Sequence, residues 1–138
     1  MRATVTGILE TALYVDDVGR SLAFYESLFG FKSLFTSERA AGLAVAARQV
    51  LLLFEKKGSL SPLVSERGTI PPHDGDGHLH MAFAIPAGAL EAWERRLAEK
   101  GIAVTARYHW PRGGHSLYFD DPDGHVIELV TPGCWPNY

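Results

Sequence analysis

Glu10, His80 and Glu128 are the side chains in this 138-residue sequence whose types and spacing suit a shared chemistry. Glu10 and His80 stand seventy residues apart, and each opens the polar face of an alternating, strand-like segment. Glu128 lies between Ile127 and Leu129 in a third apolar segment. A carboxylate inside an otherwise apolar strand is costly to bury unless it is paired or metal-bound. Three such groups on one face strain each other unless a cation sits among them. One nitrogen and two oxygen donors suit a borderline or hard divalent ion such as Mn, Zn, Ni or Fe. Taken singly, each residue is more often a surface carboxylate or a structural histidine. Their coincidence at related places of a repeated plan favours the metal site. His78, two positions before His80 and on the same face, is the competing imidazole.

The elements that must position these groups form two similar runs. In the first, 8–15 alternates, with Leu9, Leu13 and Val15 on one side and Glu10, Ala12 and Tyr14 on the other. Asp16 or Asp17 can cap a helix whose apolar positions are Leu22, Phe24/Tyr25, Leu28 and Phe29, closed by Gly30. Strands are predicted over 31–36, 42–47 and 49–55. In the second run, Leu79, Met81, Phe83 and Ile85 alternate with His78, His80, Ala82 and Ala84. A helix over 89–100 carries Leu90, Trp93 and Leu97, and strands follow over 103–109, 116–119 and 125–130. The turn 120–124 joins the last two. Between the runs, 57–77 is rich in glycine and proline, which predicts a linker that joins two modules or covers a site.

The fold class expected is α+β: two βαβββ modules forming a mixed, curved eight-stranded sheet cup with helices on the outer face. Residues 1–138 are one domain, with module one at 7–56, module two at 78–132 and a tail at 133–138. Leu9/Leu13/Val15, Leu79/Met81/Phe83 and Ile127/Leu129 are expected to bury against the helices. Glu10, His80 and Glu128 then share the concave face.

The composition narrows the function classes. Thirteen Lys and Arg against sixteen Asp and Glu give a net charge of −3, with no basic tract, which speaks against a nucleic-acid binder. No apolar run approaches the roughly 20 residues of a membrane span. The N-terminus has no signal-like apolar core, so the protein is expected to be cytoplasmic. The single cysteine, Cys134, excludes an internal disulfide framework and reads as tail packing.

The segments Glu10-Thr11-Ala12-Leu13-Tyr14-Val15-Asp16-Asp17 with Ser21-Leu22-Ala23-Phe24-Tyr25, His80-Met81-Ala82-Phe83, and Asp121-Pro122-Asp123-Gly124-His125-Val126-Ile127-Glu128-Leu129 resemble the vicinal oxygen chelate superfamily. That group contains glyoxalases, fosfomycin resistance enzymes, extradiol dioxygenases and bleomycin-binding proteins. The resemblance implies metal ligands at Glu10, His80 and Glu128, with Glu10 replacing the usual histidine. It places the fourth ligand of glyoxalases at Leu52, which cannot ligate, so activity on a glutathione hemithioacetal is not expected. One divalent metal per site would act as a Lewis acid on a small substrate bound through two oxygens.

Around that site, Tyr118 and His115 join Glu10 and Glu128 as candidate catalytic residues. Tyr14, Arg107, Arg112 and Ser116 are candidate substrate contacts, and His73 a candidate lid residue. A single module leaves its concave face open, so a homodimer is expected, with Glu10 from one chain and His80 with Glu128 from the other. The competing reading is a metal-free protein of the bleomycin resistance type that sequesters a small aromatic or cationic molecule.

Overall fold

The computed structural model describes residues 1–138 and divides into two compact units, Met1–Asp76 and Gly77–Tyr138. Each contains one four-stranded mixed sheet and one main helix.

In unit one, β1 (Glu10–Val15) leads into α1 (Val18–Phe29), followed by β2 (Lys32–Thr36), β3 (Ala40–Val45) and β4 (Gln49–Glu55). Asp17 caps α1 by accepting from the Arg20 amide at 3.0 Å, and Gly30 ends it at φ 72°, where glycine carries no steric penalty. The sheet order is β1-β4-β3-β2, with β1 parallel to β4 and the other pairs antiparallel. Strand alternation divides the side chains. Leu13, Val15, Ala41, Leu43, Leu51 and Leu53 are buried, with Tyr25 and Leu28 of α1 completing the core. Glu10, Ala12, Tyr14, Leu52 and Phe54 take the opposite face.

Leu9 departs from expectation. It lies one residue before β1 and is 65% exposed, outside the core. The 57–77 segment also differs, because it contains a hairpin of β5 (Leu63–Ser65) and β6 (Gly68–Ile70). This raises the strand count from the expected eight to ten. Leu63, Val64, Thr69 and Ile70 have strand propensity, which the surrounding glycines and prolines conceal in the sequence.

Unit two repeats the order: β7 (His80–Ala84), a 3₁₀ turn at Ala87–Ala89, α2 (Leu90–Glu99), β8 (Ala106–His109), β9 (His115–Asp120) and β10 (Val126–Val130). The sheet runs β7-β10-β9-β8, with β7 parallel to β10. Leu97, Leu117, Phe119, Ile127 and Leu129 are buried, whereas Met81 and Phe83 are half-buried. The β9–β10 turn is tied by Asp121, whose carboxylate accepts from the amides of Asp123 and His125, each at 2.9 Å. The buried His125 ring accepts the Leu79 amide at 2.9 Å through Nδ1, fastening the start of β7 to β10. No helix is long and apolar enough to cross a membrane.

Candidate functional site

Glu128 and Asp121 are the buried carboxylates of unit two. Glu128 sits at the centre of β10, 5% exposed, with Tyr118 directly opposite on β9. Burying a carboxylate requires compensation, and the Ser116 and Tyr118 hydroxyls on the same face supply it. The Ser116 hydroxyl donates to Oε2 at 2.5 Å. The Trp110 indole N–H donates to the Ser116 oxygen at 2.8 Å. Indole nitrogen can only donate, so it occupies an acceptor site on the serine and leaves the hydroxyl hydrogen for Glu128. His80 Nε2 lies 3.3 Å from Oε1.

The other nitrogen of His80 decides what Nε2 can do. Nδ1 is 2.8 Å from the Val126 carbonyl, which only accepts, so Nδ1 carries the hydrogen. A neutral His80 therefore turns the Nε2 lone pair toward a carboxylate oxygen. Two acceptors at that separation repel unless a proton or a cation lies between them. Bond lengths of roughly 2.0–2.2 Å to zinc-like ions put adjacent ligand atoms about 3 Å apart, so the pair fits a divalent ion. The backbone bond to Nδ1 is the kind of outer contact that orients metal-binding histidines.

Tyr118 borders this pair, its ring centroid 6.3 Å from that of His80. Burial, and then the Glu128 charge, push its phenol above the ordinary range, so it stays protonated and able to donate. The Cys134 thiol is raised by the same two causes in the same order. It is held as a thiol, in keeping with tail packing.

The remaining expected residues fall elsewhere. His78 lies over Gly124 in the β9–β10 turn, where an added Cβ would stand 3.1 Å from Nε2. His115 is an exposed residue whose ring stacks on His109 at 4.3 Å. Alternation along β9 sends it to the side of Leu117 and Phe119, opposite Ser116 and Tyr118. Arg107 is engaged by Glu94 of α2, with Nη2 and Nε each 3.0 Å from the carboxylate. Arg112 is exposed in the β8–β9 turn.

In unit one, Glu10 is exposed and lines a hollow of 930 Å³ over the face opposite α1. Leu52 faces the same hollow, between Ala12 and Gly42. Glu55 pairs with Val15, whose side chain is on the opposite face, so no carboxylate of β4 takes the place beside Glu10. The Tyr14 hydroxyl is 2.8 Å from His73 Nδ1. Burial, then the charge of Asp74, raise the Tyr14 phenol above its usual range. His73, expected to act in a lid, is thus bound to a strand residue. Neither unit gathers three His, Cys, Asp or Glu side chains placed to hold an ion.

Two βαβββ units, one with a buried glutamate beside a backbone-oriented histidine, define a glyoxalase-type fold. The model of the Glyoxalase/Bleomycin resistance protein/Dioxygenase superfamily matches residues 7–129, and the chain belongs to that superfamily. Metallothiol transferase FosB of Bacillus licheniformis is 30% identical over 128 residues, covering 92% of this chain and 76% of that one. A crystal structure of lactoylglutathione lyase from Agrobacterium tumefaciens superposes with a TM-score of 0.87 at 31% identity, covering 97% of this chain and 99% of that one. A mutant of the fosfomycin resistance protein FosX from Listeria monocytogenes, complexed with Mn(II) and 1S,2S-dihydroxypropylphosphonic acid, shares the fold. Its TM-score is 0.66 at 21% identity, covering 91% of this chain and 90% of that one.

Proposed function

We propose that this protein is a divalent-metal-dependent enzyme in which His80 and Glu128 of one chain and Glu10 of a partner chain hold the ion. The observation that carries the reading is the 3.3 Å approach of His80 Nε2 to Glu128 Oε1 while Nδ1 is committed to a backbone carbonyl. Once bound, the ion would polarise two adjacent oxygens of a small substrate as a Lewis acid. Ser116, aimed by Trp110, fixes one oxygen of Glu128 and leaves the other toward His80. Tyr118 keeps its proton beside Glu128 and can donate it to a substrate oxygen. The likeness to metallothiol transferase FosB supports this class of chemistry. Leu52, and Glu55 on the face opposite Glu10, speak against lactoylglutathione-lyase chemistry, in spite of the likeness to that enzyme.

Metal analysis of protein purified without chelator tests the proposal. About one divalent ion per chain is expected, with His80→Ala abolishing uptake and leaving the fold intact, because His80 is an exposed wall residue rather than core. Unchanged uptake in His80→Ala would overturn the ligand assignment. A protein with no metal affinity at all would leave the small-molecule sequestering reading in its place.

A further inference from the structure

We infer that the hollow on the open face of β1–β4 takes a largely apolar molecule with a planar ring and one hydrogen-bonding oxygen. At 930 Å³ it falls at the upper end of the roughly 300–1,000 Å³ of small-molecule sites, far larger than a three-carbon phosphonate needs. Its wall is aromatic. The Phe54 ring meets His73 edge-on at 4.4 Å, and Tyr14 stacks beside Phe54 at 5.9 Å. Phe35 lies across Gly42, where even a Cβ would come within 2.5 Å of the ring. The shift in register between Ser33 and Phe35 brings that ring opposite Gly42.

The hairpin of β5 and β6 adds apolar surface that the fold leaves wet. Leu63 is 65% and Ile70 59% exposed, and both line the hollow. Apolar area left in water favours a ligand that covers it, by roughly 25 cal/mol per Å². Within the aromatic wall, the polar atoms are the Tyr14 phenol and the His73 imidazole, already hydrogen-bonded to each other. A ligand oxygen can join that bond as donor or acceptor, because a phenol offers both. The charged lining is one carboxylate, Glu10, and one guanidinium, Arg39. A phosphonate or phosphate dianion calls for several converging cations, and the side chains of this lining supply one, so competition by methylphosphonate is read on the chelator-treated protein.

The inference deepens the proposed function at one point, since Glu10 lines this hollow, but its test is separate from metal binding. The probe is 2-naphthol, titrated by its own fluorescence into the full chain, with methylphosphonate as competitor. Saturable binding is expected, with no displacement by methylphosphonate. Ala12→Phe, which fills the floor, should abolish binding; Phe54→Ala should weaken it about tenfold and Tyr14→Phe several-fold. The titration is run on protein as purified and on protein treated with chelator, with saturable naphthol binding expected in both, so failure of either reading shows independently. Absence of saturable binding, displacement by methylphosphonate, or naphthol affinity untouched by both Ala12→Phe and Tyr14→Phe would overturn the inference.

Discussion

Removing the Ser116 hydroxyl isolates the smallest device in the site. Ser116→Ala leaves the Trp110 N–H and Glu128 Oε2 without their shared partner in a buried setting. Outer contacts to metal ligands are typically worth about 10–100-fold in affinity, and that loss is expected in a calorimetric metal titration. Ser116→Thr, which keeps the hydroxyl, should recover most of it. Equal affinity in the parent and Ser116→Ala would show that Glu128 needs no positioning. A second test concerns the thiol. Burial and then the Glu128 charge raise Cys134, so Glu128→Gln should lower the midpoint of its pH–alkylation profile while burial keeps it above that of a free thiol. An unmoved midpoint would mean the charge does not reach the sulfur. The Trp110–Ser116 contact was hidden in the sequence, because a six-residue separation across a turn specifies no register. Glu128 was legible, since a lone carboxylate in Val126-Ile127-Glu128-Leu129-Val130 has no apolar reason to be there.

At the level of elements, close backbone approach distinguishes two glycines that look alike in sequence. A Cβ on Gly114 would stand 2.7 Å from the Gly133 carbonyl carbon and 2.8 Å from the Cys134 amide nitrogen. Backbone cannot swing aside as a ring can, so Gly114→Ala is expected to displace the tail from the start of β9. The Tyr138 hydroxyl, whose one hydrogen is shared between the carbonyls of Ile85 and Val130 at 3.2 and 3.1 Å, would lose its anchor. Faster carboxypeptidase digestion of the tail than in the parent checks this, and unchanged digestion would refute it. At Gly42 the obstacle is the Phe35 ring, a side chain able to rotate, so Gly42→Ala should leave the sheet folded and cost about 1–3 kcal/mol in urea unfolding. Strand identity was legible where alternation was strong, as in β4. Facing was harder. The sequence pattern starts β9 at 116 and places His115 before it, whereas its pairing with His109 makes it a strand residue on the other face.

At the scale of the whole molecule, the proposed ligand set is what calls for assembly. In that proposal His80 and Glu128 are two donors from one unit, and Glu10 belongs to the other. Members of this superfamily commonly pair, and the proposed site draws Glu10 from the second chain. Two-fold symmetry would then produce two equivalent sites, each spanning both chains. Complementation separates this from sites closed within one chain. Homodimers of Glu10→Ala have no complete site, and neither do homodimers of His80→Ala. Refolding them together yields mixed dimers in which one site lacks both residues and the other is intact. Half of the parent's metal uptake per mixed dimer is expected, read by metal analysis after separating the species with two different affinity tags. If mixed dimers form yet bind no more metal than either parent variant, each site lies within its own chain.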